Sequence, residues 1–402
     1  MEGLTGTERD AVARAGGAPM LARTLAWSRV NSGTGNLAGL KTMAGLLADA
    51  FSALPGALSL VEPGPAERVE ADGRVVPVEH GRHLRLVVRP DAATRMLFTG
   101  HMDTVYAADH PFQVVTERDD GTVNGPGAAD MKGGLAVMLA AVEAVEASPL
   151  RDRLGYEVLI NSDEETGSLS SASLIAEVAR GKVAALTYEP ALPDGTLAGA
   201  RGGTGNFSIA VEGRAAHAGR DPENGRNALV AAADLALRLA AAKDAGLTVN
   251  PARIDGGGPN NVVPAHAVLR VNFRPADPDA IGRARAAIDR ATADVAREHD
   301  VALRVHGGVN RPPKPVDTGA ERLFALVGQA GAALGISIAR RATGGVCDGN
   351  NIAAAGVPVV DTMGVRGGAI HSADEYMIVD SLPERAALSA VTILRLAERG
   401  RP

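Results

Sequence analysis

The chain has 402 residues, more than one ordinary domain needs, so two or three domains are expected. Hydrophobic residues at 46% and charged residues at 22% exclude a wholly disordered chain. The net charge of -6 argues against a nucleic-acid partner, which calls for a basic surface, and the single cysteine, Cys347, excludes a disulfide framework or a Cys-rich zinc module. No apolar run approaches the roughly 20 residues of a membrane span. The polar start, Met1 to Asp10, lacks the basic-then-apolar order of a signal peptide. A cytoplasmic protein without a membrane partner is the expectation.

In chain order, Pro19 to Leu54 reads as helical, broken at the turn-forming Asn31-Ser32-Gly33-Thr34-Gly35-Asn36. Short apolar runs then stop abruptly at polar residues. Arg95 to Thr99 leads to His101 and Asp103, Tyr156 to Ile160 leads to Glu164 and Glu165, Val183 to Thr187 leads to Glu189, and Val357 to Val360 leads to Asp361. Ala-rich Gly134 to Glu146 reads as a helix between the first two runs. Strands alternating with helices predict an α/β fold whose central sheet is at least partly parallel. From about Asn206 to Gly307 the order becomes strand, helix, strands, helix, strand, which predicts an inserted α+β unit of ferredoxin-like look. Glycine-rich 199–205 and proline-rich 311–315 mark its edges, so the expected division is 1–202 and 313–402 for a catalytic domain and 203–312 for an inserted lid.

In a parallel sheet, functional groups collect beyond the carboxyl ends of the strands. The residues there are of metal-ligand type: His101, Glu165 and Glu189, with Asp130 in the glycine-rich loop 125–134 and His371 at the end of the loop after the last run. Singly, each has an ordinary explanation: a His-x-Asp pair is weak, adjacent glutamates are commonly a solvated loop, and a histidine before Ser372 could cap a turn. Their joint placement carries the argument. Imidazole and carboxylate donors suit Zn²⁺, and neighbouring ions can share a carboxylate. Two such ions bring four positive charges, which Asp130, Glu165, Glu189 and one hydroxide would neutralise, leaving little uncompensated charge to bury. Glu164 is then left beside the site as a base, and Asp103 as the partner of the far nitrogen of His101.

Three motifs now resemble the M20 family of dinuclear zinc peptidases and amidases, glutamate carboxypeptidase-like members above all: His101-Met102-Asp103-Thr104-Val105, Gly127-Ala128-Ala129-Asp130-Met131-Lys132-Gly133 and Asp163-Glu164-Glu165-Thr166-Gly167. Tyr188-Glu189-Pro190, Ala216-His217-Ala218-Gly219 and Ile370-His371-Ser372 add to the likeness, which is shared with acetylornithine deacetylase, succinyl-diaminopimelate desuccinylase and aminoacylase. The resemblance implies a zinc-peptidase-like catalytic domain with a mixed sheet flanked by helices. It further implies that His101 and Glu189 bind one zinc, Glu165 and His371 the other, and Asp130 both, with Co²⁺ or Mn²⁺ as possible substitutes. Glu164 would be the general base.

The lid would mediate a homodimer, with His217 reaching the neighbouring active site. Asn261, Arg274 and Arg311 would contact a substrate carboxylate, a job suited to the arginine fork. The Gly344-Gly345 loop would line the pocket, and Cys347 stands where a Ser or Thr is usual. The implied substrate is a small peptide or N-acyl amino acid with a free α-carboxylate, and the motifs do not separate carboxypeptidase from deacylase. Two other classes fit the sequence less well. Glycine-rich 31–36 and 201–206 lack the strand–loop–helix order of a nucleotide site. A non-catalytic relative would have lost a ligand or the base, and none is missing here.

Overall fold

The computed structural model describes residues 3–402. Six strands make the main sheet in the order Ala57–Val61, His83–Val88, Leu154–Asn161, Thr94–His101, Ala184–Thr187, Val359–Val360. The last four are mutually parallel and the first two run antiparallel, so the sheet is mixed. The two antiparallel strands were not expected from the sequence. Ala57–Val61 has no buried position, and His83–Val88 carries Arg85 within it, which conceals both strands among polar neighbours.

Helix Gly133–Glu146 lies against one face, buried over almost its whole surface because Ala and Gly let its neighbours approach. Helices Gly6–Gly16, Met20–Ser28 and Ser381–Arg399 pack around it in the largest apolar cluster. Helices Ala172–Ala179 and Asp348–Ala354 cover the other face around Leu97, Leu159, Ile175 and Val359. The polar start of the chain proves to be helical: Thr5 and Glu8 form a reciprocal capping box, a signal present in Thr5-Gly6-Thr7-Glu8.

The chain enters the second layer at Thr204 and leaves it at Arg311. Strands Leu247–Gly256, His266–Pro275, Thr204–Glu212 and Ala302–Arg311 form an antiparallel sheet in that order, with helices Ala228–Ala241 and Pro278–His299 packed on it. Strand Leu247–Gly256 is masked in the sequence by Pro251, which is tolerated because the strand is an edge and its register shifts there. The two segments joining the layers run side by side: Arg201 and Lys314 exchange a pair of backbone hydrogen bonds of 2.9 Å each. Among the described residues no helix is long and apolar enough to cross a membrane.

Two glycines fix the path of the chain at Glu189. A Cβ on Gly134 would stand 2.0 Å from the carbonyl oxygen of Tyr188, and one on Gly364 would stand 2.2 Å from the same atom. Gly134→Ala is therefore expected to cost about 1–3 kcal/mol by forcing the Tyr188-Glu189 backbone aside. Gly45→Ala, on a helix with open space around it, should instead stabilise by about 0.5–1 kcal/mol. Thermal unfolding of the two variants beside the native chain checks both signs.

Candidate active site

His101 closes strand Thr94–His101, Glu164 and Glu165 follow Leu154–Asn161, and Glu189 follows Ala184–Thr187. These strands are parallel neighbours, with His101 opposite Asn161 and Thr99 opposite Thr187, so their ends deliver the side chains into one crevice. Asp130 arrives from the loop before helix Gly133–Glu146; the Asp130-Met131 peptide bond is cis. His371 comes from the loop after the last strand and holds φ 63°, a left-handed conformation uncommon for a residue with a side chain.

Asp130 stands between the two histidines. Its Oδ1 is 3.1 Å from Nε2 of His101 and its Oδ2 is 3.3 Å from Nε2 of His371. Glu189 lies on the His101 side at 3.7 Å, and Glu165 on the His371 side at 3.2 Å. Donor atoms of His101, Asp130 and Glu165 all lie within 4.8 Å of one another, as do those of His101, Glu164 and Glu189. Either group could hold a metal ion. Glu164 differs from the other carboxylates in its partner, because the guanidinium of Arg311 sits 2.7 Å from its Oε1.

Asp103 ties this arrangement together. Its backbone oxygen is 3.0 Å and its Oδ1 3.4 Å from Nδ1 of His101, which leaves Nε2 to face the crevice. The same carboxylate accepts from the backbone N–H groups of Glu164 and Glu165 and from the hydroxyl of Thr34. One side chain thus aims a histidine and seats the paired glutamates.

The charges show what the crevice needs. Asp130, Glu164 and Glu189 are buried, and the side chain of Glu165 nearly so. Burial, then the neighbouring Asp130, pushes the Glu165 carboxyl up to about 7, and burial also raises Glu189. Burial alone would lower His101, yet its hydrogen bonds to Asp103, Asp130 and Glu189 prevail and hold the imidazole well above its usual range. Hydrogen bonds to Asp130 and Glu165 raise His371 to about 10. The two imidazoles are thus the groups set against a nest of carboxylates. A cation with affinity for nitrogen and oxygen donors fits the same place and frees both rings to bind it in their neutral form.

Not every anticipated residue reaches the crevice. His217 is exposed on the second layer, its Nδ1 accepting from the Gly219 N–H, and it lies beside Asn261, whose carbonyl accepts from Ala218. Arg274 is exposed on the lid, donating to Asn272. Arg311 is buried at the end of the last lid strand, donating to the backbone and carboxylate of Glu164 and to Ser168, with Asp348 at 3.5 Å. Gly345 borders the cleft described below and Gly344 does not. Cys347 is buried, its Sγ accepting from the Gly349 N–H and lying 3.5 Å from Asp361; burial keeps the thiol protonated.

Two participants escaped the sequence reading. Glu375 is buried four residues beyond His371, and its two oxygens accept from the backbone N–H groups of Gly127, Ala129 and Asp130 and from the hydroxyl of Tyr106. It therefore binds the loop carrying Asp130 to the loop carrying His371. Arg201 makes a two-pronged contact with Asp361 beneath the cleft. The spacing from His371 to Glu375 was on view, but nothing in it distinguishes a loop clamp from a surface glutamate.

A cleft of about 260 Å³ leads away from the ligand cluster. Leu192, Leu197, Ala198, Val346 and Ile370 give it apolar walls, with Thr196, Thr343, Thr362, Arg201 and Arg341 among them. A buried cluster of nitrogen and oxygen donors, a glutamate held beside it by Arg311 and an adjoining apolar cleft are the parts of a metal-dependent hydrolase.

The particular family follows from comparison with known proteins. The chain belongs to peptidase family M20/M25/M40, whose profile matches residues 97–395. It is a hydrolase acting on amide bonds. Carboxypeptidase G2 of Pseudomonas sp. (strain RS-16) is 34% identical over 314 residues, covering 75% of this chain and 74% of that protein. A succinyl-diaminopimelate desuccinylase of Verminephrobacter eiseniae is 27% identical over 312 residues, 72% of this chain and 76% of that one. In fold, a tripeptidase from Staphylococcus aureus superposes with a TM-score of 0.71 at 23% identity, covering 94% of this chain and 98% of that one.

The role of Glu375 is open to direct measurement. Glu375→Ala should weaken metal binding by roughly 10–100-fold, because three N–H groups of the Asp130 loop lose their acceptor at once. Glu375→Gln, which keeps one acceptor oxygen, should fall between. Calorimetric titration of the metal-free chain with Zn²⁺ reads both; affinities equal to the native chain would remove Glu375 from the support of the site.

Proposed function

We propose that the chain is a two-zinc hydrolase that cleaves the amide bond of a small peptide or N-acyl amino acid with a free α-carboxylate, in the manner of a glutamate carboxypeptidase. The observation that carries this reading is Asp130, one carboxylate with an oxygen turned to each of two histidines. His101 and Glu189 would hold one ion and Glu165 and His371 the other, with Asp130 shared. Co²⁺ or Mn²⁺ would find acceptable donors in the same set. When bound, such ions polarise a carbonyl and acidify water.

The chain's own residues supply the rest. Glu164 takes a proton from the attacking water and returns it to the leaving amine. Burial raises its carboxyl well above the usual range, while the Arg311 contact opposes that rise. A base so placed can accept a proton and return it. Asp103 keeps the N–H of His101 turned away from the crevice. Asn261, Arg274 and Arg311 are assigned to the substrate carboxylate; Arg311 is committed to Glu164 and Asp348 in this conformation, which leaves Arg274 as the freer cation.

We assign residues 203–312 as the lid and dimerisation unit of a cytoplasmic homodimer, with His217 stabilising the oxyanion in the partner's site. The exposed Val230 and Leu237 on helix Ala228–Ala241, with Ile254 on the neighbouring edge strand, offer apolar surface for such an association. A deacylase would use the same proton transfers and differ only in the acyl group it admits.

Glu164→Gln should retain about two zinc ions per chain by elemental analysis while turnover of an N-acyl amino acid falls at least 10²–10⁴-fold. Near-normal turnover would eliminate Glu164 as the base. Mixing His217→Ala chains with Glu164→Gln chains should restore part of the activity, since each heterodimer then holds one complete site. Heterodimers that form without recovery would refute the shared site.

A further inference from the structure

The hairpin Glu67–Val69 and Val75–Pro77 precedes the main-sheet strand His83–Val88 but forms a two-stranded sheet of its own. It reaches across to the second layer instead. In the antiparallel sheet of that layer, Phe207, Ile209, Val211, Leu269, Val271 and Phe273 face the two helices. Alternation turns Ser208, Ala210, Val268 and Arg270 to the opposite face. Val69 of the hairpin packs with Ala210 and Val268 there, and all three are buried.

Polar contacts fasten the tip. Arg270 donates to the carbonyl of Val69 at 2.9 Å, while its other nitrogens reach Asp255 and Ser208 within its own sheet. Nε2 of His266 lies 3.2 Å from the carbonyl oxygen of Ala71. Gly73, at φ 80°, sits so close that a Cβ there would stand 2.6 Å from the ring of His266.

The base of the hairpin rests on the loop that carries the paired glutamates. The Gly64 N–H donates to the carbonyl of Ser170, and the Ser162 hydroxyl donates to the carbonyl of Gly81. Ser162 and Ser170 bracket Glu164 and Glu165, and the Asp163 carboxylate closes that loop by accepting from the N–H and hydroxyl of Ser170. Between hairpin, loop and second layer lies a cavity of about 300 Å³, bordered by Val69 and Val75, Thr166 and Leu169, and Ser208 and Arg270. One hairpin thus joins the second layer at its tip to the glutamate loop at its base.

In this conformation His217, Asn261 and Arg274 are exposed, and no residue of 203–312 borders the cleft beside the ligand cluster. For these residues to meet substrate, as proposed above, the second layer must turn. The hairpin is pinned at both sides of its base, so turning parts the tip, where two hydrogen bonds and three small apolar side chains make the contact.

We propose that hairpin 64–81 is a strap that holds the second layer in this open orientation, with Arg270 as the positioning residue that clasps it. This rests on the reading of residues 203–312 as a lid and adds the restraint that closure must overcome. One hydrogen bond from a guanidinium to a buried carbonyl is enough to shift such an equilibrium by about 10-fold.

Three measurements on the zinc-loaded chain test the strap. Gly73→Cys with Ala210→Cys would put two Cβ atoms 3.5 Å apart, within disulfide range, and His266→Ala makes room for them. Oxidising this variant should lower kcat/KM for an N-acyl amino acid at least about 10-fold, reversibly with a phosphine reductant and with zinc content unchanged. Arg270→Gln should lower KM about 10-fold and leave kcat within about 2-fold, because closure no longer breaks the clasp; Arg270→Lys, which keeps a cation there, should fall between. Spin labels at the exposed positions of Asp152→Cys and Arg290→Cys should report a wider spread of distances when Arg270→Gln is added. Full activity of the oxidised chain, or a KM and a distance spread unmoved by Arg270→Gln, overturns the strap. Hydrolysis of no amide by any form removes the hydrolase reading instead, and the spin-label distances then judge the strap by themselves.

Discussion

Four carboxylates, Asp130, Glu164, Glu165 and Glu189, share one buried crevice, and most of the surrounding structure answers the repulsion among them. Two unit charges of like sign about 4 Å apart repel by about 4 kcal/mol at an effective dielectric constant of 20. The protein compensates each differently. Two imidazoles face Asp130, one of them also Glu189 and the other Glu165, and a guanidinium faces Glu164. In the reading proposed above, the carboxylate balanced by arginine would stay on hand for proton transfer, while those balanced by imidazole would exchange that partner for a divalent cation. The division between ligand and base would then follow from which cation stands opposite each acid.

The supporting groups obey the same logic at one remove. Asp103 and Glu375 are buried acids stabilised mainly by N–H and O–H donors: Asp103 by the main chain of the paired glutamates, Glu375 by the main chain of the Asp130 loop. Each joins segments far apart in the chain, so the ligand atoms are positioned by hydrogen bonds that themselves bury charge. Burial pushes Glu375 up to about 7, a sign of how much the N–H groups and the Tyr106 hydroxyl must do to hold it there.

That these side chains would meet in one crevice was legible in the sequence because parallel strands end together. An apolar run broken by His101, Glu165 or Glu189 is both a strand and an address. Lid strands and helices were legible too, where alternation or amphipathic period ran uninterrupted. What escaped notice follows a pattern. His83–Val88 carries charge inside a sheet strand, and Leu247–Gly256 carries a proline, so periodicity hid both. Glu375 works through main-chain donors, which leave no residue-type signature at any spacing.

The paired segments linking the two layers have a mechanical meaning. Arg201 and Lys314 are bonded to each other along the backbone and to the same Asp361 through their side chains. The crossings therefore act as one ribbon rather than two independent tethers, stiff against twisting and compliant only to bending across its flat face. Because Arg201 also borders the cleft, a change in the angle between the layers would be transmitted to the cleft wall.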